Sequence, residues 1–179
     1  FNYFDGMNGT LSFTTISVLA ILYFLVPDQN FQLFLIIILI PISIFLCFNF
    51  SLLKLPKLFL GDSGSLLLGF LISFILIYLA NQKFIHPILL AWSIAIFVYE
   101  FLSINIIRLK NKQNPFKAGT DHLHHRLFEK NKSIFLTNFL ISSLNIFLFT
   151  LGYLSFSFIN ELVSLILFVA FFMIFLILR

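Results

Sequence analysis

The chain has 179 residues, the length of one ordinary domain, but with 60% apolar and only 10% charged residues it cannot be a soluble one, which carries about 25% charge. Phe alone occurs 27 times and the mean hydropathy is +1.06, so this is an integral membrane protein, of net charge +4. Uncharged runs of about 20 residues in lipid satisfy their backbone hydrogen bonds only as helices, and the expected fold class is all-α, a polytopic transmembrane helical bundle.

The opening ten residues, FNYFDGMNGT, are polar and Gly-rich, with neither an initiating Met nor a signal peptide. The chain is therefore expected to be a piece of a longer protein, with residues 1–179 forming a single integral membrane domain. Six apolar spans follow, at about 11–26, 31–53, 66–80, 88–107, 134–154 and 162–178. Pro41 is expected to kink the second. The first and third are short for a bilayer of about 30 Å and are expected to recruit a turn from the Gly-rich sequence before them. The single Cys47 lies inside an apolar run and reads as a small packing residue, with no disulfide framework.

The connections alternate in character. Those at 27–30, 81–87 and 155–161 are short, whereas the others, with the two chain ends, hold ten of the eleven Lys/Arg residues. Only Lys83 falls on the opposite face. The positive-inside rule makes the basic face cytoplasmic. Trp92 and Tyr78, near the other face, suit an interfacial aromatic belt, and His86 there reads as incidental.

Three polar motifs lie on the basic face. In Asn2-Tyr3-Phe4-Asp5-Gly6-Met7-Asn8-Gly9, Asn2, Asp5 and Asn8 recur every three residues, a spacing that shares a helical face and could hold a divalent cation or a nucleotide. Read alone, turn and capping chemistry before the first span accounts for it equally simply. In Gly61-Asp62-Ser63-Gly64-Ser65, Asp62 offers a hard oxygen ligand of the kind Mg²⁺ takes, beside backbone N–H groups that favour anions; the alternative is a plain N-cap. The polar segment 108–133 carries seven Lys/Arg residues and three of the four histidines, His122, His124 and His125. With Asp121 these form a candidate metal site, or, with Lys117 and Arg126, a diphosphate clamp. A basic loop attracted to anionic lipid explains the charge but not three histidines in four positions. Glu100, the only ionisable residue inside a span, is either functional or a structural group paired with Arg108 or between helices.

In this order and spacing the motifs resemble those of the polyprenyl-phosphate N-acetylhexosamine-1-phosphate transferases, the WecA- and MraY-like family. They match its N-x-x-D-G-x-[DN]-G and G-D-[ATS]-G-S segments, an acidic residue at Glu100, Asn114-Pro115-Phe116, and the His122–His125 loop. The His-Leu-His-His-Arg-Leu ending is closer to the bacterial WecA-like branch. The resemblance implies transfer of an N-acetylhexosamine 1-phosphate from a UDP-sugar to polyprenyl (undecaprenyl) phosphate, giving polyprenyl-diphospho-sugar and UMP. This is the first membrane step of cell-envelope glycan synthesis, lipopolysaccharide included.

It implies Mg²⁺, with Mn²⁺ as a substitute, held by Asp62. Asp5 and Asp62 are the expected catalytic residues, and Asn2, Asn8, His122, His124 and His125 are expected to bind the UDP-N-acetylhexosamine. Arg126 is added to them on charge alone. Polyprenyl phosphate and membrane lipid are the other expected partners, nucleic acid is not, and a homodimer is left open. The enzyme is expected in the inner (plasma) membrane with its site on the cytoplasmic face. The family's Asp-Asp pair falls upstream of Asn2, so the chain resembles the C-terminal part of the transferase and is expected to be inactive alone. Asn8 stands where many members have Asp, and Phe97-Val98-Tyr99-Glu100 where many have Pro-x-x-Asp. Two other classes compete: a small membrane transporter or channel, and a zinc-dependent membrane enzyme.

Overall fold

The computed structural model of the chain describes residues 1–114, 119 and 122–179. Lys117, Asp121 and the Pro115-Phe116 pair lie outside them. The described residues form α-helices and two single 3₁₀ turns, with no strand. The helices are α1 (Thr10–Leu25), α2 (Gln29–Asn49), α3 (Gly61–Asn81), α4 (Pro87–Ser93), α5 (Ala95–Lys110), α6 (Leu123–Asn131), α7 (Ile134–Phe158) and α8 (Glu161–Leu178). The 3₁₀ turns are Asn2–Phe4 and Leu52–Lys54.

Each of the six apolar spans is helical, but they cross differently. α2, α3, α7 and α8 are each long and apolar enough to span a bilayer alone. α2 continues through Pro41 as one helix. α3 takes in Gly61–Ser65 and reaches 21 residues. α1 gains no such turn and has 16, because Gly9 before it is left-handed at φ 76°. A side chain cannot follow there, since a Cβ on Gly9 would lie 2.6 Å from the Phe50 ring.

The fourth span is broken. α4 and α5 meet at Ile94 with a bend of 73°, so that by length and composition the pair is either one broken span, a fifth crossing, or a re-entrant loop. A break in lipid frees backbone groups that water cannot satisfy. Asn145 of α7 supplies the partners: its Nδ2 donates to Ser93 O at 3.0 Å and its Oδ1 accepts from Ile96 N at 3.4 Å. The same amide donates to Ser17 Oγ of α1 at 3.1 Å. α7 is the central helix, packed against α1, α4, α5, α6 and α8.

Trp92 is fully buried, which corrects the interfacial-belt reading. Its ring fills the space over Gly152, where a Cβ would lie 2.2 Å from Cγ, and its Nε1 donates to Ser164 Oγ at 3.0 Å. Tyr78 is partly exposed and stacks on Phe31 at 5.4 Å. α2 and α8 turn most of their apolar side chains outward, Ile37 and Ile40 or Ile166 and Val169 among them, as suits lipid-facing helices. Among the described residues, the side chains of the three motifs gather at the N-terminal ends of α1, α3 and α6.

Candidate functional site

The first motif is held by aromatic packing. Phe1 stacks on Phe97 of α5 at 4.1 Å and Phe4 meets the same ring edge-on at 4.7 Å. These contacts seat the Asn2–Phe4 turn and turn the polar residues of the motif toward α3 and α6. Asn2 Oδ1 accepts from Ser65 Oγ at 2.9 Å, joining the first motif to the second. Neither Asp5 nor Asn8 caps α1: its N-cap position is Gly9, which has no side chain to give. The capping account of this motif therefore fails.

It fails for the second motif too. The N-cap position of α3 is Leu60, and Asp62 sits in the first turn with its carboxylate exposed. Gly61 has φ 66° and open space around it, so backbone meets solvent directly beside Asp62. Asp5 feels this neighbour. Its carboxyl pKa is raised, chiefly by burial and then by the negative charge of Asp62. A carboxyl group whose ionisation is opposed by a neighbouring negative charge marks a place where a cation is favoured.

The polar segment between α5 and α7 is not a plain loop, because α6 forms within it. Its side chains have opposite faces: His122 and His124 are buried, while Arg126 and Lys130 are exposed. Glu100 supplies the cap that α6 lacks locally. Its Oε1 accepts from Leu123 N at 2.8 Å, placing a carboxylate at the helix N-terminus, where the backbone dipole favours negative charge. His122 Nδ1 is 3.6 Å from the same oxygen. Arg179 completes the pairing: Nη1 meets Glu100 Oε2, Nη2 meets Oε1 at 2.9 Å, and Nη1 also reaches Ser103 Oγ at 2.6 Å. Glu100 is thus a structural pair that holds the histidine helix.

His124 touches the first motif directly. A methyl group on Gly6 would lie 2.5 Å from its Nε2 and 3.2 Å from His125 Nε2, so glycine is what lets the imidazoles approach. Both ring nitrogens of His124 are buried with no hydrogen-bond partner among the described residues. Burial, then the neighbouring His125 and His122, pull its pKa down to about 3, against a smaller opposite effect of Glu100. It is a neutral imidazole at physiological pH. His122 and His124 lie parallel with centroids 5.5 Å apart, and His125 is 4.2 Å from His124. Stacked rings do not converge on one point, and no group of three His, Cys, Asp or Glu among the described residues could hold a metal ion.

A cavity of about 150 Å³ opens beside the first two motifs, lined by Asp5, Asn8, Gly9, Asn49, Phe59 and Gly61 among others. Asn49, the last residue of α2, escaped the sequence reading. It is buried, its Nδ2 donates to Leu58 O at 2.8 Å, and its Oδ1 has no partner among the described residues. Its only sequence signal is an amide near the end of the uncharged stretch 31–53. Arg126 is the one predicted site residue turned elsewhere. Its Nη1 donates to Arg179 O at 2.7 Å, and it lines a separate hollow with Leu127, Lys130 and Phe175.

Fold and site together define a helical membrane protein whose carboxylate, amide and imidazole chemistry is gathered at one end of the bundle. Residues 1–80 match the profile of glycosyl transferase family 4. Among its curated relatives is the undecaprenyl-phosphate alpha-N-acetylglucosaminyl 1-phosphate transferase of Yersinia pestis, 31% identical over 124 residues, 68% of this chain and 34% of the relative. The protein of the same name from Escherichia coli K12 is 27% identical over the same shares. That of Pasteurella multocida is 37% identical over 71 residues, 38% of this chain and 20% of the relative. The chain thus spans about a third of the length of the relatives it matches. No solved structure matches it.

Proposed function

We propose that this chain forms the donor-binding part of a membrane transferase that moves an N-acetylhexosamine 1-phosphate from a UDP-sugar to polyprenyl phosphate. The observation that carries the reading is the meeting of the three motifs: Asn2 on Ser65, Gly6 under His124, and Asp5 within the field of Asp62. In the reaction an oxygen of the lipid phosphate forms a bond to the β-phosphorus of the UDP-sugar. The bond from that phosphorus to the bridging oxygen breaks, and UMP leaves. Such a transfer depends on positioning and on neutralising phosphate charge.

The donor set fits a hard divalent cation such as Mg²⁺, or Mn²⁺: Asp62 and Asp5 present carboxylate oxygens and Asn49 an unpaired amide oxygen. Bound there, the ion supplies charge neutralisation at the diphosphate. The residues do the rest. Asn8 and Asn49 line the cavity as hydrogen-bonding groups for the nucleotide. The first turns of α1 and α3 present backbone N–H groups that no side-chain cap occupies, a setting that favours phosphate. His124, neutral and without a hydrogen-bond partner among the described residues, and His125 offer imidazole nitrogens beside Gly6 for the diphosphate–sugar region. The name printed for the relatives makes N-acetylglucosamine the sugar to test first. By the positive-inside rule, the basic residues favour the cytoplasmic face of an inner membrane for this end.

The transporter reading loses its pathway residues, since Glu100 is paired and Asn138 and Asn145 are bonded to α1. The zinc reading loses its geometry through the stacked histidines. The test is titration of UMP into the purified chain in lipid nanodiscs. Binding should require Mg²⁺ or Mn²⁺, vanish with EDTA, and weaken about a hundredfold in Asp62→Asn. Metal-independent binding, or none, would overturn the reading.

A further inference from the structure

The first motif is anchored at its far end by a residue that belongs to none of the three motifs. Asn138 of α7 is fully buried, four residues after the helix begins. Its Nδ2 donates to the backbone oxygen of Asn8 at 2.8 Å, and its Oδ1 accepts from Thr10 Oγ1 at 2.7 Å. The carboxamide therefore spans Gly9, the left-handed residue at which the motif turns into α1. Asn8 and Gly9 both line the cavity, as does Asp5 three residues earlier. α7 follows α6 after only Lys132 and Ser133, and the two helices pack together. One unit, α6 with α7, thus places His124 over Gly6 and Asn138 on Asn8.

We propose that Asn138 is a positioning residue, which fixes the Asn8–Gly9 peptide, and with it the cavity wall of Asp5 and Asn8, relative to the histidine helix. The proposal rests on the donor-binding reading of that cavity. Its specific feature is the Nδ2 donor: without it the part-buried Asn8 carbonyl loses this partner, and rotation of the peptide is the way to relieve it. Asn145, seven residues further along α7, offers the contrast. It also bonds to α1, through Ser17, but its other bonds serve the break at Ile94 and none reaches the cavity.

The experiment compares UMP affinity at saturating Mg²⁺, melting temperature and hydrogen exchange of residues 5–9 in nanodisc-embedded protein. Asn138→Asp keeps the acceptor for Thr10 and loses the donor to Asn8. It should weaken UMP about tenfold and speed exchange at 5–9. Asn138→Ser, which retains a shorter donor, should fall between, and replaces Asn138→Asp where that variant does not fold. Thr10→Val should cost less than threefold. Asn145→Leu should lower the melting temperature while changing UMP affinity by less than twofold. Affinity within twofold of wild type in Asn138→Asp would overturn the proposal, as would losses that track melting temperature across all variants. Failure of the wild-type chain to bind UMP would count against the donor-binding reading instead. Exchange at 5–9 then decides: faster in Asn138→Asp but not in Asn145→Leu upholds the positioning role, and any other pattern overturns it.

Discussion

The two ends of the bundle start their helices in opposite ways. At the far end each helix is capped by the side chain before it: Asp28 accepts from Phe31 N at 2.9 Å, His86 from Ile88 N at 3.3 Å, and Asn160 from Val163 N at 2.8 Å. His86 is further tied to Glu161, with Nε2 2.9 Å from Oε2, so it is no incidental residue. At the basic end α1, α3 and α6 begin without a local side-chain cap, although Asp5, Asn8 and Asp62 stand close enough in sequence to provide one. Of the helices there, α7 alone carries a local side-chain cap, from Ser133. Polar residues at the far end are spent on folding, while at the basic end they are left for something else.

The difference can be broken by substitution. The largest effect on stability is expected where the basic end does use a charge for folding. Glu100→Gln leaves Arg179 without its buried partner and should cost about 3 kcal/mol, read by chemical unfolding in micelles. A cost below 1 kcal/mol would mean that the Glu100 pair does not hold α6.

Next comes the neutral imidazole. His124 titrates near 6.5 when unfolded and near 3 when folded, so the unfolded chain binds more protons between those values. Stability should be flat above pH 6.5 and decline below it, by about 2 kcal/mol at pH 5, levelling only near pH 3. A His124→Gln variant should lack that decline; persistence of the full decline would assign it to another group. The smallest effect belongs to the far end. Asp28→Ala should cost about 1 kcal/mol of stability and leave UMP affinity unchanged, the reverse of Asp62→Asn, which should reduce affinity with little change in stability. Equal stability losses in the two would erase the contrast.

Much of this was legible in the sequence. Composition gave the helical membrane class, and the alternation of charged and short connections put the three motifs at one end. What escaped depends on partners far along the chain. The break at Ile94 lies in an uncharged run, and Asn145 arrives 49 residues after Ile96 to satisfy its N–H. The polarity of the 108–133 segment hides the helix α6, whose cap, Glu100, comes from α5. Asn49 is a single amide near the end of an uncharged stretch and Asn138 is one of several Ser, Thr and Asn residues at 137–145, and neither spacing nor charge marks either as part of the site. Trp92 looked interfacial by its place in the span, but the space over Gly152 takes it into the core. Arg126 was chosen for charge, and charge does not say which face of α6 it occupies.

The most direct measurement is hydrogen exchange across the whole chain in nanodiscs, with and without UMP and Mg²⁺. One site assembled from three motifs should show protection appearing together at 2–9, 61–65 and 122–126, at a single ligand concentration, with 82–88 and 159–163 unchanged. Protection confined to one motif, or spread equally to the far end, would contradict it.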